Sequence, residues 1–209
     1  MTASVPLVSV ILPTRNRSAM LSRALESIWA QHRDDVEIIV VDDASSDGTP
    51  LLLESLASQG KLRWFRNELS IGACAARNLG LRQSRGLYVT GLDDDDEMLP
   101  GRITMLLAAL KPDDAFVCGC DRIQPDNGVA HTRRVPARID RNAILSRNVA
   151  GNQILAERTK VLACGGFDES LPAAQDYDLW IRMILTHGPA RGVRRTLQRI
   201  LGKHAPREH

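Results

Sequence analysis

Cysteine is scarce, and what there is does not pair. The four cysteines, Cys74, Cys118, Cys120 and Cys164, form no CxxC motif, and no histidine cluster lies near them. That spacing excludes the common zinc sites and a disulfide frame. It leaves four small apolar core residues in a reducing compartment. Long apolar runs are also missing, and no stretch reaches the length of a membrane span. The N-terminus, MTASVPLVSVILPTRNR, lacks a basic leading region and does not read as a signal peptide. Net charge is close to nil, +2 at pH 7, so nothing global points to nucleic acid as a partner. No internal repeat or low-complexity linker appears. These absences point to a cytoplasmic protein.

What is present is an ordinary globular mixture. The 209 residues are 44% apolar and 25% charged, enough for one sizeable core, and the length fits one domain. LVSVILP is a continuous β-branched run that predicts a strand buried on both faces. SAMLSRALESIWAQ follows with helical spacing of Met20, Leu21, Ala24, Leu25 and Ile28, and with Ser18 as the expected N-cap. VEIIVVDD predicts a second strand, and SSDGTPLLLESLASQG a helix closed by Gly60. LRWFRN, GLYVTGLDD and AFVCGC predict three further strands. GACAARNLGLRQSRG and GRITMLLAALK predict the helices between them. Alternating strand and helix with short links predicts an α/β fold with a mostly parallel sheet and helices on both faces. Residues 121–141 read as a hairpin or irregular excursion. GNQILAERTKVLACGGFDES then reads as a strand, a short helix and a Gly-Gly turn. QDYDLWIRMIL reads as an amphipathic helix with Leu179, Met183 and Ile184 on one face. From His187 onward the basic residues Arg191, Arg194, Arg195, Arg199, Lys203 and Arg207 face one acid, Glu208. This reads either as a solvated end or as a tail facing phosphates or an anionic membrane surface.

Open parallel sheets bind ligands beyond the carboxyl ends of their strands. Three polar clusters fall on that rim: PTRNR after strand one, DDASSDG after strand two and DDDDE after strand four. Four adjacent carboxylates repel one another, and a hard divalent cation such as magnesium or manganese relieves that repulsion. Magnesium commonly takes one or two protein carboxylates and fills its other positions with water and phosphate oxygens, so a diphosphate is the expected partner. A receiver domain is excluded by order, because a complete strand-helix unit precedes Asp42. A haloacid-dehalogenase-like phosphatase is excluded because Glu97 stands where its Asp-x-Asp-x-Thr motif needs threonine.

VSVILPTRNR, EIIVVDDASSDGT, GACAARNLGL, LYVTGLDDDDEMLP, GGFDES and QDYDLW occur in the order and spacing of family 2 glycosyltransferases. The chain resembles that family from Leu7 to about Leu185. The resemblance implies a GT-A fold in a single domain over 1–209, with a nucleotide-sugar-binding half to residue 120 and an acceptor-side half from 121. It implies inverting, metal-dependent transfer of a sugar from a nucleotide-sugar donor, a UDP-sugar by family habit, to a glycan or glycolipid acceptor. The process would be cell-surface polysaccharide or glycolipid synthesis, with the basic C-terminal tail as a point of peripheral contact at the inner face of a membrane.

The family pattern carries over residue by residue. Pro13 and Arg15 would touch the base and ribose, and Asp43 the uracil edge, with an Asx turn as its structural alternative. Arg77 would reach a phosphate or base, or else lie on a helix surface. In LDDDDEMLP, Asp95 would bind manganese or magnesium and Asp93 would hold ribose or share the ion. Asp94 fills the variable position, grouped here with the substrate-binding residues, and Asp96 follows the motif. Both of these are expected to be solvated or to cap the next helix. Four like neighbours leave the register open by one. Asp176 would be the general base. The family has Glu-Asp where this chain has Gln175-Asp176, and Asp178 is a competing carboxylate on another helix face. Gly165 and Gly166 would serve the backbone, and Gly151-Asn152 would line an acceptor cavity. His204, in LGKHAPR, would reach the metal or diphosphate, or else be a solvated tail residue. Two alternatives remain: a nucleotidyltransferase, whose Gly-rich loop after strand one is missing here, and a non-catalytic nucleotide- or carbohydrate-binding protein.

Overall fold

The computed structural model describes residues 5–126 and 128–201. β1 (Val8–Thr14) is buried at every position, as its unbroken apolar run requires. α1 (Ser18–Trp29) turns Leu21, Ala24, Leu25 and Ile28 inward. Ser18 is the first helical residue and not the cap. Its N–H donates to Asp47 Oδ2 at 3.3 Å, so a neighbouring loop helps satisfy the helix start. The alternation continues through β2 (Val36–Asp43), α2 (Thr49–Ser58), β3 (Arg63–Asn67), α3 (Ala73–Gln83) and β4 (Tyr88–Gly91). Past the acidic run come β5 (Glu97–Met98), α4 (Arg102–Ala109), β6 (Val117–Gln124), β7 (His131–Arg133), β8 (Arg138–Ile139) and α5 (Arg141–Ser146). β9 (Leu155–Glu157), α6 (Arg158–Ala163), α7 (Gln175–His187) and β10 (Ala190–Leu201) follow.

The strands join one sheet in the order β3-β2-β1-β4-β9-β6-β10-β5, with β7 on β6 and β8 on β10. The sheet is parallel from β3 to β4. Beyond that it is mixed: β9 runs antiparallel to β4 and β6, while β10 runs parallel to β6 and antiparallel to β5. This is the expected α/β architecture, with the hairpin of the middle region present as β6 and β7. Helices cover both faces. α1, α2 and α4 pack through Leu25, Leu53 and Ile103 on the side of Val8, Val10 and Leu12. α3, α5 and α7 pack through Leu81, Ile144 and Trp180 on the side of Ile11. Burying each such aliphatic side chain stabilises by about 1.5–3 kcal/mol. All four cysteines are free thiols, three of them buried.

α3 lies very close to β1, because a Cβ on Gly80 would meet Ile11 Cγ2 at 2.5 Å. Gly80 therefore sets the height of α3 over the sheet, and with it the position of Arg77 one turn earlier.

Residues 190–201 correct the reading of a loose basic tail, since they form β10 inside the sheet. Register shifts between Val193 and Thr196 and between Thr196 and Gln198 break the period-two pattern, which hid the strand. Arg191 pairs with Asp114 at 2.8 Å and Arg199 with Glu97 at 2.7 Å, while Arg194 and Arg195 remain exposed. Lys203, His204 and Arg207 lie outside the described residues. No described helix is long and apolar enough to cross a membrane.

Candidate active site at the strand rim

The loops after β1, β2 and β4 meet at one rim. Asn16, at φ 54°, turns the chain out of β1. Its N–H donates to Ser45 Oγ at 2.9 Å, and its Oδ1 accepts from the Ser46 N–H at 2.7 Å. These bonds stitch the β1 and β2 loops together. Pro13 is buried within β1 and pairs with Val41. Its side of the strand has passed the last β4 pair, Ile11 with Gly91, so its missing N–H costs no ladder bond. Of the two expected base-side residues at this strand's end, Arg15, just past β1, is the exposed one, and its Nη1 donates to Ser70 Oγ at 2.8 Å.

Ser70 leads to Asp43. Asp43 Oδ1 accepts from Asn67 Nδ2 at 2.8 Å and Ile71 N at 3.0 Å, and Oδ2 accepts from Ser70 Oγ at 2.7 Å and Gly72 N at 2.9 Å. Burial works to raise its pKa, but these donors prevail and hold it below the ordinary value. A carboxylate offers about four acceptor positions. Here the loop between β3 and α3 takes all four, so Asp43 shapes that loop, and a base that binds Asp43 must share or displace one of these donors.

The acidic run alternates in burial, residue by residue, from Gly91 to Met98. Asp93 and Asp95 are partly exposed, while Asp94 and Asp96 are 5% and 2% exposed. The expectation that Asp94 and Asp96 are solvated or capping does not hold. The four aspartates form a turn, closed by the Asp96 N–H donating to the Asp93 carbonyl at 3.0 Å, and this turn carries Asp94 and Asp96 inward. Asp94 accepts from Thr14 Oγ1 at 2.7 Å and from Arg17 Nη1 at 2.9 Å. Asp96 accepts from Gln198 Nε2 at 2.7 Å and from Leu201 N at 3.3 Å. Burial, with Asp93 and Asp95 nearby, pushes the Asp96 carboxyl up to about 7 against those donors. Behind it, fully buried Arg102 donates to Gln198 Oε1 at 2.7 Å.

Two arginines offset the repulsion at the surface. Arg17 Nη1 lies 2.8 Å from Asp95 Oδ2, as well as touching Asp94. Arg77 Nη2 lies 2.8 Å from Asp93 Oδ1, and its guanidinium sits over the Phe167 ring at 5.6 Å. Phe167 is held in turn by Asn78, which accepts its N–H at 2.9 Å and donates to its carbonyl at 2.8 Å. Gly165 and Gly166 precede it with φ of 81° and 72°, the left-handed conformations that favour glycine.

Asp176 is in the first turn of α7. Burial pushes its carboxyl up to about 6, with Arg77 opposing and Asp93 reinforcing the shift. Asp93, Arg77 and Asp176 thus form one electrostatic group. Asp178 turns away and pairs with Arg182 at 2.5 Å, and Arg182 holds the Gly166 carbonyl at 2.8 Å. Gln175 bonds back to Leu171 O at 2.9 Å. Beneath the group lies an apolar cavity of about 40 Å³, lined by Arg77, Val89, Gln153, Phe167 and Trp180 among others. His204 lies outside the described residues.

Three participants were not assigned here from sequence: Arg17, Asn152 and Gln198. Asn152 was expected at an acceptor cavity, but its Nδ2 donates to Asp93 Oδ2 at 3.1 Å. Its Oδ1 is buried without a hydrogen-bond partner. The signal for Arg17 was the acid run itself, which needs a nearby cation. Gln198 carried no signal, because β10 was not visible.

Comparison with known proteins now adds to this geometry. The family described as glycosyl transferase family 2 matches residues 9–164. The chain belongs to that family. The glycosyl transferase WcaA of Escherichia coli K12, named for colanic acid biosynthesis, is 33% identical over 190 residues, covering 88% of this chain and 68% of its own. A GalNAc(5)-diNAcBac-PP-undecaprenol beta-1,3-glucosyltransferase of Campylobacter jejuni is 38% identical over 128 residues, covering 60% of this chain and 41% of its own. Among solved structures, residues 1–349 of Staphylococcus aureus TarS with UDP-GlcNAc superpose with a TM-score of 0.81 at 19% identity, over 95% of this chain and 59% of that one. The mannosyltransferase PcManGT of Pyrobaculum calidifontis, with GDP-Man and Mn2+, gives 0.73 at 23% identity, over 99% and 59%. These structures share the GT-A fold. The chain spans from under half to about two thirds of the length of these relatives.

Proposed function

We propose that this chain transfers a sugar from a nucleoside diphosphate to an acceptor hydroxyl with inversion at the anomeric carbon. The observation that carries the reading is the shared field of Asp93, Arg77 and Asp176, within a family of glycosyltransferases. Asp176 is the base. The acceptor oxygen attacks the anomeric carbon, Asp176 takes its proton, and the diphosphate leaves with the electron pair of the broken C–O bond. A carboxyl near pH 6 is still charged at neutral pH and is a stronger base than an ordinary aspartate, which suits general base catalysis.

Asp93 and Asp95 supply the hard oxygen ligands for a magnesium or manganese ion. The donor set fits: two partly exposed carboxylates, Asp93 and Asp95, stand at the rim. Among the described residues no three His, Cys, Asp or Glu side chains close a cage. An ion that keeps water and diphosphate oxygens needs none. When bound, it would neutralise charge on the leaving diphosphate. Arg15, Pro13 and Asp43 form the nucleoside side, with uridine the favoured base, and Arg77 and Asp94 complete the donor side. The names of two relatives, one for colanic acid biosynthesis and one for a transferase acting on a PP-undecaprenol-linked glycan, support a glycan or glycolipid acceptor. Exposed Arg194 and Arg195 offer contact with an anionic membrane from the cytoplasmic side. The deciding experiment is transfer, or donor hydrolysis by water, with Asp176→Asn. Retained turnover would end this reading.

A further inference from the structure

The place where a cation would relieve the acidic run is partly taken by the protein's own nitrogen. Arg17 Nη1 sits between two carboxylates, 2.9 Å from Asp94 Oδ1 and 2.8 Å from Asp95 Oδ2. We propose that Arg17 is an internal counter-ion that a divalent metal must displace from Asp95, and that this contest makes metal and nucleoside diphosphate bind cooperatively. The inference rests on the reading of Asp95 as a metal ligand.

The two arginines at the run differ in how firmly they are held. Arg77 is 15% exposed and is gripped by Asp93, the Phe167 ring and the field of Asp176. Arg17 is 33% exposed, and among the described residues its guanidinium bonds only to Asp94 and Asp95. Asp94 has a second anchor in Thr14, so it stays in place and keeps Arg17 nearby when Asp95 is lost to a metal. Arg17 holds Asp95 through Oδ2, and a divalent ion on either Asp95 oxygen would lie close to the guanidinium and be repelled by it. The metal alone therefore binds against Arg17. A diphosphate bound at the same rim gives the released guanidinium an anion, and planar guanidinium suits phosphate oxygens. Coupling of this kind is reciprocal, so the nucleotide gains from metal as much as metal gains from nucleotide.

The test counts bound manganese by electron paramagnetic resonance, with the metal alone and then with UDP, in the parent, Arg17→Gln, Arg17→Lys and Asp95→Asn. Arg17→Gln should bind manganese alone about fivefold or more tightly than the parent, the low end of typical coupling. It should also show a smaller gain when UDP is added. Arg17→Lys, which keeps the charge, should return towards the parent. Circular dichroism and melting check that each variant is folded. If Arg17→Gln binds manganese no better than the parent while Asp95→Asn loses it, Arg17 is no counter-ion and the metal site stands. If no variant binds manganese with or without UDP, the metal reading fails and this proposal with it.

Discussion

Gln198 Nε2 donates to Asp96 Oδ2 at 2.7 Å, joining residues 102 positions apart. The same side chain accepts from buried Arg102, so one neutral amide stands between a carboxyl and a guanidinium. Gln198→Leu removes both bonds and leaves a buried charged donor unmatched. We expect a loss of about 3 kcal/mol or more in chemical denaturation. A loss below about 1 kcal/mol would mean that this network matters little. For the same reason Asp96→Asn is not a neutral control for its neighbours, since its amide would point a donor at Gln198 or at the Leu201 N–H.

Asp95→Asn should remove most divalent-cation-dependent nucleotide binding. Its cost to the ligand-free protein should stay within about 1 kcal/mol, the usual worth of a partly exposed ion pair. Titration calorimetry with UDP and manganese checks the first expectation and melting the second. Parent-like binding would mean that Asp95 is not the ligand.

Asp43→Ala should weaken UDP binding by about 1–3 kcal/mol. It should also free the loop of residues 67–72, seen as faster amide exchange at Ile71 and Gly72, whose N–H groups it holds. Faster exchange with unchanged affinity would show that Asp43 serves the loop and not the base.

Asp176→Asn is nearly isosteric and should leave donor binding close to the parent, while transfer falls at least about a hundredfold. The loss should appear in kcat. In the parent, transfer should rise with pH through about 6 and level off above it, as the base ionises. If Asp178→Asn abolishes transfer and Asp176→Asn does not, the base is Asp178.

Stability of the ligand-free protein should fall as pH rises from about 4 to about 7. Asp176 and Asp96 carry folded pKa values of about 6 and about 7 against an ordinary 3.8, so the folded state holds their protons more tightly. That advantage is lost as pH rises through those values. Asp43 and Asp47 shift the opposite way and titrate below this window. Melting temperatures from pH 4.5 to 8 check the slope, and Asp176→Asn should flatten it. Manganese with UDP should also flatten it, because a bound cation favours the charged carboxylates. A slope of opposite sign would contradict the assigned burial costs.

The strands of the first half were legible because buried parallel strands are written as β-branched runs, as in β1 and β2. The rim followed from where those runs stop. The inward turn of Asp94 and Asp96 was not legible, because four identical residues carry no contrast from which alternation can be read. β10 was hidden for a different reason. Its bulges disrupt the period, and arginines that pair with Asp114 and Glu97 look on paper like any solvated basic stretch. Arg17 was written in the motif PTRNR, but only the folded loop shows that its guanidinium turns back to the acid run.

The place of β10 between β6 and β5 has a consequence for how the molecule is made. β6 needs a parallel neighbour that lies about seventy residues later, pairing Val117 with Arg191. While residues 190–201 are still inside the ribosome, β6 has one bare edge, Asp96 lacks its donor from Gln198, and Arg102 lacks its Gln198 acceptor. The nucleoside side, β1 to β4, can form early from local contacts, whereas the floor of the acidic run must wait for a distant strand. Pairings this remote in sequence form slowly.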